Sequence, residues 1–81
     1  MIQVGMLWFD DSPQRSLDAK IELAAKRYQE KRGRSPNICY VHPSCLRQGF
    51  PPESRIKVVA LRDVLPHHFW LGITEEEHSS S

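Results

Sequence analysis

The chain has 81 residues, 11 of them basic and 10 acidic, for a formal net charge of +1. A length near 80 residues allows one domain whose core is only marginally self-sufficient, and near-neutrality excludes a global field drawing the protein to nucleic acid or membrane. Two cysteines are too few for a disulfide scaffold, and no apolar run approaches the ~18 residues that span a bilayer.

In chain order, Ile2–Phe9 is apolar, suits a strand and is bounded by Asp10 and Asp11. It has no basic lead-in and so does not resemble a secretory signal, which predicts a cytoplasmic protein with reduced thiols. Ser12–Gly33 is the one long periodic segment. Leu17, Ile21, Ala24, Ala25 and Tyr28 share a stripe at about 100° per residue. Asp10, Asp11, Ser12 and Pro13 supply a cap, a first-turn proline and favourable charge for the helix dipole, with Ser16 as an alternative cap that shortens the helix. Lys31, Arg32, Gly33 and Pro36 mark its end. Ile38–His42 is a short strand halted by Pro43, and strand, helix, strand in that order predicts a crossover between two parallel strands. Pro43–Gln48 suits one helical turn, and Phe50, Pro51 and Pro52 an extended loop. Arg55–Leu61 and His68–Ile73 read as a hairpin turning around Arg62–Pro66. The expected fold is a two-layer α+β domain over residues 1–74, one amphipathic helix on a four-stranded mixed sheet in the order β-α-β-β-β, with 75–81 as a polar tail.

Strand alternation carries the functional expectation. Ile56, Val58 and Ala60 share one face of their strand, and Phe69, Leu71 and Ile73 one face of theirs, suiting the helix side. The opposite face carries Tyr40, Val59, Leu61 and Trp70, where a half-solvated sheet would be polar. One helix cannot cover both faces, unless the proline loop shields the second. An open apolar patch on a small protein marks an interaction surface, which predicts a homodimer or one protein partner there. Leu23, about 140° from the centre of the helix stripe, is an outlying interface candidate.

Two other chemistries have partial support. Lys20, Arg27 and Lys31 line one flank of the helix, with Arg32 and Arg34 beyond, and residues 13–36 carry seven basic and three acidic side chains. With Tyr40 and Trp70 as stacking platforms, this would make a weak nucleic-acid binder, though no nucleic-acid-binding motif is visible. Cys39, His42 and Cys45, with His67 or His68 as a fourth ligand, have the donor types zinc accepts, but no recognised finger spacing. On a regular strand Cys39 and His42 also point to opposite faces, so Cys39 reads better as a small buried hydrophobe. Neither a nucleophile elbow nor a glycine-rich phosphate loop is present, so the sequence predicts no cofactor, no catalytic residue and no membrane partner.

The segment Lys31-Arg-Gly-Arg-Ser-Pro-Asn-Ile-Cys-Tyr-Val-His-Pro, with the closing Leu65-Pro-His-His-Phe-Trp-Leu-Gly-Ile, resembles short uncharacterised bacterial proteins, a domain of unknown function. There a helix leads into a proline-asparagine turn and a strand ending in His-Pro. The resemblance implies a bacterial cytoplasmic domain and assigns neither an activity nor a site.

Overall fold

The structure is a computed structural model and describes residues 5–46 and 56–74. The expected polar tail, the proline loop and the first residues of the expected opening strand lie outside those residues. Helix α1 spans Leu17–Arg32, and Ser16 is its cap: extended at φ −70° and ψ 165°, it accepts the Ala19 N–H on its hydroxyl at 3.2 Å. The Asp10–Pro13 stretch does not cap the helix. Asp10, 8% exposed, accepts the Ser12 N–H at 2.9 Å and a guanidinium N–H of Arg15 at 3.2 Å. Its carboxylate thus forms a local turn in competition with helix entry, and the shorter helix results. At the far end Gly33 sits at φ 78° and donates its N–H to Gln29 O at 2.8 Å, the left-handed stop that glycine adopts without steric cost.

The strands are β1 (Gly5–Phe9), β2 (Ile38–Val41), β3 (Lys57–Ala60) and β4 (His68–Gly72), with a 3-10 turn at Pro43–Leu46 after β2. They form one sheet in the order β1-β4-β2-β3. β1 and β2 are each antiparallel to β4, and β3 is parallel to β2. β1 and β2 therefore run the same way, but β4 lies between them, so the helical crossover does not join neighbouring strands.

The expected hairpin of β3 with β4 is also absent. Leu61 donates its N–H to Val41 O at 2.8 Å, extending the parallel ladder past β3. The chain then turns through Val64 N–H to Leu61 O at 3.1 Å and His68 N–H to Leu65 O at 3.1 Å. Because β3 runs parallel to β2, the two strands finish at the same end of the sheet, and residues 61–67 cross that end to insert β4 on the other side of β2.

The register sorts the side chains. Cys39, Val41, Phe69 and Leu71 face the helix and close a core with Ile21, Ala24 and Tyr28, against which Met6, Trp8, Val58 and Leu46 pack. Asn37 ties the far end of the sheet: its side-chain amide donates to Thr74 O at 3.0 Å and its amide oxygen accepts the Thr74 N–H at 2.9 Å. That exchange mimics a backbone ladder pair and explains why an asparagine precedes β2.

Candidate functional site

The face away from α1, free of any helix among the described residues, carries a transverse row. Leu7 pairs with Trp70, Trp70 with Tyr40, and Tyr40 with Val59, so apolar side chains run across all four strands on the side away from α1. The alternation expected from sequence places Tyr40, Val59 and Trp70 together there, each half-buried. Leu61, 38% exposed, continues the face just past β3.

The most exposed members are others: Leu7 at 56%, Phe9 at 55% and Leu65 at 65%. Sequence reasoning missed these three. β1 is apolar at every position, so its alternation gave no contrast from which to choose a face, and Leu65 stood in what looked like a hairpin turn.

Glycine shapes this surface. A Cβ on Gly5 would lie 2.5 Å from Cζ2 and 2.7 Å from Cε2 of Trp70, so the indole leans across β1 and covers a backbone with no side chain. Beside it, Leu7, Trp70 and His68 meet Leu61, Val64 and Leu65 of the crossing loop around a depression of about 380 Å³. Val64 is 8% exposed and fills part of the face. The ring of His68 lies 4.9 Å from that of Phe9. Its Nδ1 is 2.9 Å from Pro66 O, and since a carbonyl only accepts, the proton sits on Nδ1.

Leu23 belongs elsewhere. It is half-buried on α1, in the layer beyond the sheet, and does not join the helix-free face. The basic residues are also in that layer: Arg27 pairs with Glu30 at 3.4 Å, Lys20 is half-buried, and Lys31, Arg32 and Arg34 are exposed at or after the end of the helix. The basic flank and the row of Tyr40 and Trp70 lie on opposite sides of the sheet, so they do not make one surface.

Nor are the thiols and imidazoles set around a common point. Cys39 is fully buried against the helix, and burial, with a smaller contribution from Cys45, pushes its thiol up to about 12. Cys45 packs against the same core. His42 Nδ1 accepts the Ser44 N–H at 3.0 Å and is 2.9 Å from the Ser44 hydroxyl, and its carbonyl accepts from Cys45 at 2.9 Å. The ring thereby caps the 3-10 turn. His67 is exposed at φ 68°, and its carbonyl accepts the Asp10 N–H at 3.0 Å. Among the described residues no group of three or more His, Cys, Asp or Glu side chains is placed to hold a metal ion, and no helix is long and apolar enough to cross a membrane. No family model, no curated protein and no solved structure matches this chain.

Proposed function

We propose that this domain is a non-catalytic, cytoplasmic protein-interaction module that self-associates through its helix-free sheet face. One observation carries the proposal: the row Leu7, Trp70, Tyr40 and Val59 crosses all four strands on the side without a helix, with Leu7 and Phe9 more than half exposed. Contiguous apolar surface of this kind is costly to hydrate and is characteristic of contact surfaces. The non-catalytic part is consistent with two placements: the Cys39 thiol is buried and pushed up to about 12, and His42 Nδ1 accepts the Ser44 N–H within its own turn.

The test is the mass in solution across a concentration series, for the native chain and for Trp70→Glu, which places a carboxylate in the middle of the row. The native protein is expected to exceed one chain's mass, and the variant to lose mass while keeping its far-ultraviolet circular dichroism. A native protein that stays a monodisperse monomer at high concentration overturns the proposal.

A further inference from the structure

The open edge of the sheet at β1 carries a second inference. In an antiparallel pair, residues alternate between those that exchange hydrogen bonds with the neighbour and those whose N–H and C=O point the other way. Asp10 donates to His67 O, and the β1·β4 register continues that pairing through Trp8 with Phe69 and Met6 with Leu71. The main-chain groups of Gly5, Leu7 and Phe9 therefore point away from β4, to the outside of the sheet, where none has a partner among the described residues.

Sheet edges of natural proteins are usually blunted by charge, proline or cover. The opposite edge carries Lys57, exposed on β3. β1, Gly-Met-Leu-Trp-Phe, has neither charge nor proline, and the residues with unpaired main-chain groups include Leu7 and Phe9, two of its exposed apolar side chains.

We infer that β1 pairs antiparallel with β1 of a second copy of this chain, joining two sheets into one of eight strands. The strand is self-complementary in that direction. Leu7 falls opposite the second copy's Leu7 and Gly5 opposite its Phe9, each pair exchanging both hydrogen bonds. The incoming phenyl ring lies beside Trp70, whose indole already covers Gly5. An antiparallel arrangement places Asp10 and Asp11 of the two copies at opposite ends of the ladder, whereas a parallel one would set like charges side by side.

The two-fold axis of such a pairing is perpendicular to the sheet, so both helices stay on one side and both apolar rows on the other. Combined with the face contact, on whose reading this part rests, two edge-paired dimers stack through their rows and close a tetramer with two isologous interfaces.

The experiment is amide hydrogen exchange at Leu7 and Phe9, with masses in solution for the native chain, Leu7→Pro and Trp70→Glu. Proline at Leu7 removes only an outward N–H and leaves every bond of β1 to β4 in place. We expect the Leu7 and Phe9 amides to exchange more than ~10-fold slower than unstructured amides in native protein and in Trp70→Glu, and Leu7→Pro to halve the native mass. Free exchange at both amides in native protein overturns edge pairing even if Leu7→Pro does not fold. If edge pairing fails and the face holds, Trp70→Glu still lowers the mass; if the face fails and the edge holds, Trp70→Glu leaves it unchanged while the amides stay protected.

Discussion

Replacing Gly5 by alanine tests the packing that organises the helix-free face. The new methyl would fall 2.5 and 2.7 Å from two indole atoms of Trp70 and 3.0 Å from Leu71 O, against an ordinary carbon contact of ~3.5–4.0 Å. Relief requires the indole to swing off β1, and overpacking of this kind costs ~1–3 kcal/mol. Alanine recovers ~0.5–1 kcal/mol of backbone entropy that glycine loses on folding, leaving a net loss of up to ~2.5 kcal/mol. At ~4–8 °C per kcal/mol for a domain of this size, Tm falls by up to ~20 °C. In a Trp70→Val background the indole is gone while a strand-forming side chain remains, and only the 3.0 Å approach to Leu71 O is left, so the same substitution costs less by ~1 kcal/mol or more. Urea unfolding followed by far-ultraviolet circular dichroism, at one protein concentration because association shifts apparent stability, yields the four corners of the cycle. Equal cost of Gly5→Ala in both backgrounds would refute the idea that the indole occupies the space above Gly5.

Cysteine reactivity gives a second check, since attack requires the thiolate. With its thiol pushed up to about 12, Cys39 stays unlabelled by a thiol reagent in native protein at neutral pH and is modified only on unfolding; rapid native labelling at Cys39, located by peptide mass, contradicts its burial. The same shift makes folding pH-dependent. The folded state keeps a proton that the unfolded thiol releases above its ordinary value of 9.0, so this contribution is full below pH 9, falls as pH rises, and is gone near 12; Cys39→Ala flattens that alkaline decline. Asn37→Ala removes both hydrogen bonds to the backbone of Thr74 and lowers stability by ~2–3 kcal/mol in urea unfolding, whereas a loss below ~0.5 kcal/mol would show that water replaces the amide.

What could be read from the chain was what depends on neighbours in sequence. The Leu17, Ile21, Ala24 and Tyr28 stripe, the Gly33 stop and the division of Val58 from Val59 and of Leu71 from Trp70 follow from periods of 3.6 and 2, and all appear in the structure. Strand pairing is a long-range choice that alternation does not encode. Arg62–Pro66, with Asp63 and Pro66 as turn formers, suits a hairpin and a crossing loop equally, and the parallel partnership of β2 with β3 shows only in their register, which Leu61 continues onto Val41. β1 was opaque for a different reason: Met6 and Trp8 are as apolar as Leu7 and Phe9, so only the register with β4 shows which pair meets the helix.

The placement of β4 explains why the domain is left with apolar surface. As an inner strand it is flanked on both edges and carries large side chains on both faces, Phe69 and Leu71 toward the helix and Trp70 away from it. A helix is ~10 Å across, while four strands ~4.8 Å apart make a sheet ~19 Å wide, so α1 covers only about half of even its own side. There Leu46, Cys45 and Ile56 fill in beside it. On the other side, among the described residues, the crossing loop contributes Val64, which leaves Leu7 and Phe9 at the β1 edge uncovered. Among the described residues, apolar exposure and unpaired main-chain groups thus coincide on one strand, whereas the β3 edge carries the exposed charge of Lys57. A second copy adding at β1 would satisfy the main-chain groups directly, and stacking of the resulting rows would remove the apolar surface that one helix leaves open.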